Sequence, residues 1–188
     1  MPEDDGKQDS TADLRRLVER AQAGDRAALE ELYLLHFDRI YSYLHLTVGN
    51  RHDAEDLTNQ TFVKMIESIE RFQWRTVPIS AWLFRIAHNL AMDHFRAGRR
   101  WHPEEEPPEP PGSTERSAEE AAFNSIGRKS MLAMIEELSP DQQQVLTLKF
   151  LFGFANADAA AILGKTEGAV KSLQHRALAS LQRQLAPS

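Results

Sequence analysis

The 188 residues contain no cysteine, which excludes disulfides and thiolate-bound metals and fits a protein of the cytoplasm. No apolar run is long enough to cross a bilayer, so no membrane partner is expected. The opening MPEDDGKQDS is acidic and polar, the reverse of a signal peptide. Strand-like alternation of apolar and polar residues is missing, and no internal repeat is found. Among the seven histidines, no two stand with a carboxylate at a metal-ligand spacing. His88 and His94 fall on different faces of one helix, so no catalytic centre, metal site or cofactor is expected.

A phosphate-binding loop is missing as well. The stretch ILGKTEGAVKS, at 162–172, holds the closing Gly-Lys-Thr of such a loop. Its first glycine would have to stand where the chain has Ala159, and the preceding NADAAAIL is a helix former with no strand before it. A helix, a glycine turn and a second helix answer the pattern better.

The formal net charge of −6 seems to argue against nucleic acid, but its distribution does not. Residues 1–13 carry five acids against one lysine, and residues 101–120 carry seven glutamates against one arginine. Residues 14–100 and 121–188 are each left at +2. Five prolines fall within nine positions of WHPEEEPPEPPGSTERS, where lost backbone donors and repelling charges favour an extended linker. The expected plan is all-α, with a disordered acidic N-terminus over 1–12 and a helical module over 13–100. An acidic Pro/Glu-rich linker over 101–118 then leads to a helix-turn-helix module over 119–188. Thr11 and Asp25 are candidate caps for helices near 12–22 and 26–48. Further helices are expected over about 53–71 and 78–98, the last with Pro78 in its first turn. In the second module, Ser139-Pro140-Asp141-Gln142 reads as a capping box.

A helix-turn-helix needs a small residue where its helices cross and a glycine in its turn, which Ala160 and Gly164 supply. Val170, Leu173, Ala177 and Leu181 share one face of the second helix and seat it. The opposite face gathers Gly168, Lys171, Ser172, His175 and Arg176, where small residues permit close approach and cations meet phosphates or guanine edges. Thr166 caps this helix, so its first amides can face a phosphate. A solvated basic face on an ordinary helical hairpin is the plainer reading of the charges alone.

In the first module, Leu83, Ile86, Ala87, Leu90 and His94 form the inward face of the fourth helix. Arg85, His88, Asn89, Met92, Arg96 and Arg99 form the outward one. With Phe72, Trp74 and Arg75 in the preceding loop, these residues are the parts needed to hold single-stranded DNA. Phe72, Trp74 and Trp82 suit a small core equally well. On the third helix Ala54, Thr58, Phe62, Met65 and Ile69 point inward, and Asp56, Asn59, Gln60, Val63 and Glu67 outward. That outward face is either ordinary solvated surface or a docking site for a basic protein helix, anchored by Val63.

Taken in order, these stretches resemble a bacterial sigma factor of the extracytoplasmic-function (ECF) group of the sigma-70 family, from about residue 14 to 185. DAEDLTNQTF is similar to the core-polymerase-binding stretch D-A-E-D-L-V-Q-E-T-F. AWLFRIAHNLAMDHFR is similar to W-L-x-R-I-A-x-N-x-x-x-D, the helix that melts the promoter and reads its −10 element. LSPDQQQVLTLKFLFGFANADAAAILGKTEGAVKSLQHRAL is similar to the domain that reads the −35 element. The resemblance implies a binding protein that directs initiation by core RNA polymerase and leaves catalysis to it. It implies docking of Asp53, Asp56, Asn59, Gln60 and Val63 on the β′ clamp helices, with a second contact to the β flap. Phe72, Trp74, Arg75, Arg85, His88, Asn89 and Arg96 would hold the melted −10 strand. Thr166, Gly168, Lys171, Ser172, His175 and Arg176 would read the −35 duplex. The linker would thread the polymerase's RNA channel, and an anti-sigma factor is a usual partner.

The chain departs from the family pattern at several positions. Thr58, Asn59 and Gln60 stand for Val, Gln and Glu, and Ala155 and Ala159 stand for the usual Ser cap and Ile. Ala169 and Leu173 replace Thr and Arg on the recognition helix. A free-standing helix-turn-helix regulator is the competing reading. Such a regulator needs neither the Asp56–Val63 face nor the aromatic loop.

Overall fold

The computed structural model describes residues 5–74, 77–97 and 137–185. The chain divides into two compact units, Met1–Pro108 and Glu109–Ser188. Among the described residues there is no strand, and all regular structure is helical. The linker expected at 101–118 lies outside the described residues, as do Arg75 and Arg99.

The first unit holds α1 (Asp5–Gln22), α2 (Arg26–Val48), α3 (Arg51–Ser68) and α4 (Ile79–Arg96). The N-terminal stretch expected to be disordered is helical from Asp5, so Thr11 lies inside α1 and is not its cap. No proline falls between residues 5 and 22 to stop the helix from extending backwards. Asp25 does cap α2, its carboxylate accepting from the amides of Ala27 and Ala28 at 3.0 and 3.4 Å. The Arg20 guanidinium bonded to Asp25 at 2.8 Å holds that carboxyl below its ordinary pKa. Gly49 takes the left-handed conformation, φ 71°, and ends α2 by donating to the His45 carbonyl. Asn50 then caps α3 through the Asp53 amide at 3.0 Å.

Helix α2 packs against all three of its neighbours, which explains why it is apolar on more than one side. Leu32, Ile40, Tyr43 and Leu44 are fully buried. Each such side chain stabilises the fold by roughly 1.5–3 kcal/mol relative to exposure. After α3 a 3₁₀ turn, Ile69–Arg71, redirects the chain. Gln22 of α1 fixes it by donating both amide hydrogens, to Ile69 O at 2.9 Å and Phe72 O at 2.8 Å. Pro78 stands at the cap position of α4, one place before the helix proper.

The second unit holds α5 (Pro140–Leu146), α6 (Asn156–Leu163) and α7 (Glu167–Leu185). Ser139 and Gln142 form the expected reciprocal capping box, with Pro140 at the first turn. A π-helical turn over Thr147–Leu151 follows α5. Helix α7 packs on both α5 and α6, and Leu138, Leu146 and Ala177 make a buried cluster completed by Leu181.

Candidate nucleic-acid and partner interfaces

Helices α6 and α7 are built from local signals. Gly164 adopts φ 63° and donates to the Ala160 carbonyl, which closes α6 at the left-handed position that glycine tolerates best. The Lys165 amide donates to the same carbonyl at 2.9 Å. Thr166 Oγ1 accepts from the Ala169 amide at 3.2 Å and caps α7 as expected. The Lys165 side chain reaches Asp141 Oδ2 at 2.9 Å, tying the turn to the start of α5. Gly-Lys-Thr is thus a helix stop, a tether and a helix start.

Val170, Leu173 and Ala177 are buried, so α7 is seated on the face its periodicity marks. Thr166, Gly168, Lys171, Ser172, His175 and Arg176 are all exposed. Arg176 Nε donates to the Ser172 carbonyl at 3.3 Å, which lays the guanidinium along the helix. A Cβ built on Gly168 meets nothing within 4 Å, so the open space there faces outward. Helix α6 begins at Ala155 with no side-chain cap. Asn156 Oδ1 is buried there without a hydrogen-bond partner among the described residues, and burial raises the Asp158 pKa above its ordinary value.

In the first unit, Arg85, Asn89 and Arg96 of α4 are exposed, and Arg96 holds Asp93 at 2.6 Å. His88 is not on that face. It is 7% exposed, and its Nδ1 lies 3.0 Å from the Tyr43 hydroxyl. Helix α4 packs against both α2 and α3, so its buried arc is wider than one stripe and takes in position 88. Phe72 is also corrected from base platform to core. It is 7% exposed, with its ring 5.1 Å from Trp82 and 6.0 Å from Trp74. Trp74 is half-buried, and Arg75 lies outside the described residues.

On α3 the outward set is Asp56, Asn59, Gln60 and Val63, the last 54% exposed. Asp53 is half-buried, its Oδ2 3.4 Å from His94 Nε2, so it joins α3 to α4 at the edge of this face. Thr58, at a position where the family carries valine, is fully buried. Its hydroxyl donates to the Ala54 carbonyl at 2.7 Å, so the threonine is not itself left orphaned in the core.

Sequence periodicity overlooked several exposed apolar side chains. Ile66 of α3 is 54% exposed beside Val63, and Leu34 and Leu35 of α2 are exposed too. In the second unit Phe150 and Leu151 project from the π turn, at 62% and 44% exposure. The apolar run VLTLKFLFGF gave a signal for the last pair, but regular helical periodicity does not describe a widened turn. Among the described residues no helix is long and apolar enough to cross a membrane. No cluster of three potential metal ligands occurs among them either.

Comparison with known proteins places two families on these units. Residues 32–101 match sigma-70 region 2 and residues 128–181 match sigma-70 region 4. The ECF RNA polymerase sigma factor BldN of Streptomyces coelicolor is 39% identical over 176 residues, covering 93% of this chain and 67% of that protein. The solved structure of CnrH in complex with the cytosolic domain of CnrY matches with a TM-score of 0.67 and 26% identity, over 91% of this chain and 96% of that one. The sigma factor RpoE from Bartonella quintana, solved with the anti-sigma factor NepR, matches with a TM-score of 0.60 and 25% identity, over 83% and 95%.

Proposed function

The chain belongs to the ECF group of the sigma-70 family, and from that premise we propose how its two units share the work of a sigma factor. It binds core RNA polymerase and directs promoter-specific initiation. The second unit reads the −35 duplex through Lys171, Ser172, His175 and Arg176, with Gly168 permitting close approach and the Thr166-capped amides facing a phosphate. The first unit docks on the β′ clamp helices through Asp56, Asn59, Gln60 and Val63, with Asp53 fixing the edge of that face. Arg85, Asn89, Arg96, Trp74 and Arg75 hold the melted −10 strand, cations along the backbone and the indole against a base. His88 and Phe72 act behind that surface by packing. The exposed Phe150–Leu151 pair gives the β flap an apolar anchor. The chain supplies recognition, and the polymerase supplies chemistry, in the compartment where the polymerase works. An anti-sigma factor is a further partner, as NepR is of RpoE.

The observation that carries this reading is the pairing in one chain of an exposed recognition helix, α7, with the outward acidic and apolar face of α3. A stand-alone regulator has no use for the second. The test is a binding titration of the full chain against a promoter duplex, with and without core polymerase. Specific binding that requires core supports the reading. Equal specific binding without core, and no pull-down of core, favours the stand-alone regulator.

A further inference from the structure

Gln22 stands in the last turn of α1, four residues after the buried Val18 and so on the same inward face. Its frame is rigid. Leu17, Val18 and Ala21 are buried, and the corner that follows is closed by Gly24 at φ 85° and by Arg20 bonded to Asp25 at 2.8 Å. From that frame the amide spends both of its hydrogens on distant backbone, the Ile69 carbonyl at 2.9 Å and the Phe72 carbonyl at 2.8 Å. One side chain thus holds the first residue of the 3₁₀ turn that leaves α3, and also the residue that follows the turn. Two hydrogen bonds at fixed geometry leave the backbone there one position to occupy.

Phe72 passes the constraint on. Its ring lies 5.1 Å from Trp82 of α4 and 6.0 Å from Trp74. Trp82, Arg85 and Asn89 recur at i, i+3 and i+7, so the loop is tied to the face of α4 that is assigned to the melted strand. Trp74 stands only two residues beyond the pinned carbonyl, so any freedom at Phe72 reaches the indole directly. Ordering that segment in advance removes a cost from holding a ligand. The region 2 match begins at residue 32, so Gln22 and the rest of α1 stand outside it. We propose that Gln22 is a positioning residue for the −10 site: without touching DNA, it pins the turn after α3 and so aims Trp74 at the melted strand. The inference rests on the sigma-factor reading and adds α1 to it, as the strut that presets the loop.

The experiment is a double-mutant cycle, with the full chain bound to core polymerase on a promoter carrying a pre-opened bubble, and the lifetime of the complex as the readout. Trp74→Ala should shorten that lifetime about 10-fold, the size of one lost stacking contact. Gln22→Met, which keeps the side chain's length and removes its donors, should shorten it about 5-fold by losing most of the same stacking. Gln22→Asn, whose amide falls one methylene short, should act in the same direction. The double variant Gln22→Met with Trp74→Ala should lose only about 10-fold, where independent losses would multiply to roughly 50-fold. Core affinity should match the wild type throughout. Wild-type lifetime in the Gln22 variants overturns the proposal and leaves the sigma reading standing. Losses that multiply in full overturn it too, because Gln22 then acts elsewhere than through the indole. If Trp74→Ala alone keeps the wild-type lifetime, the indole holds nothing and there is nothing to aim, which again overturns it. Loss of core affinity in both Gln22 variants would make the residue a support of the whole unit, a further refutation. If the wild-type chain with core binds no bubble promoter, the functional reading fails and takes this inference with it.

Discussion

Replacing His36 with leucine should make the first unit markedly less sensitive to acid. His36 lies in α2 at 7% exposure, and neither ring nitrogen finds a hydrogen-bond partner among the described residues. Burial, with a smaller push from the nearby Arg39, lowers its pKa from 6.5 to about 4. The unfolded chain therefore takes up a proton near pH 6.5 that the folded chain refuses until about pH 4. The fold keeps its full stability above pH 6.5 and loses it as the pH falls through that window, at about 1.4 kcal/mol per unit. The loss amounts to roughly 2 kcal/mol at pH 5 and about 3 kcal/mol once both states are protonated. A pair of chains differing only at this position isolates the effect from the other histidines. Urea titrations at pH 7.5 and pH 5 should show the wild type losing about 2 kcal/mol more than His36→Leu between the two conditions. Parallel losses in the two proteins would refute the reasoning, because the buried ring would then have no part in the proton linkage.

Three further outcomes follow from named positions. Val63→Asp places a charge on the 54%-exposed valine of the α3 face. It should weaken core polymerase binding by about 2 kcal/mol in a pull-down or fluorescence titration, with the melting temperature unmoved. Gly168→Ala adds a Cβ that meets nothing within 4 Å inside the fold. It should raise the stability of the second unit by roughly 0.5–1 kcal/mol in a thermal melt while lowering affinity for −35 duplex. Unchanged affinity would mean that DNA does not approach that part of α7. Ala155→Ser restores an oxygen at the uncapped start of α6, and should stabilise the second unit by about 1 kcal/mol, read as an upward shift in its melting midpoint.

The parts of the fold that were legible from sequence are those fixed by local chemistry. Asp25, Ser139 with Gln142, Gly164 and Thr166 each satisfy or end a helix within a few residues, and each does so in the structure. The outward sets on α3 and α7 were legible because each of those faces carries side chains that a core excludes. His88 was not, because a helical wheel assumes one buried stripe. Helix α4 has two neighbours, and Tyr43 offers the inward imidazole a hydrogen bond from 45 residues away. Phe72 turns inward for a similarly distant reason, since Gln22 pins its carbonyl from α1. The exposed Phe150 and Leu151 depend on a π turn that no residue between 147 and 151 announces. Local signals set where helices begin and end. Which of their faces are covered is decided by contacts distant in the chain.

As a sigma factor, this chain confers promoter choice on core RNA polymerase. The most direct measurement mixes the full chain with bacterial core polymerase and a pool of random promoter sequences, and sequences the transcripts. Transcripts should start downstream of a shared two-part motif, and only when both proteins are present. Transcripts with no shared motif, or none above the level of core alone, would contradict it.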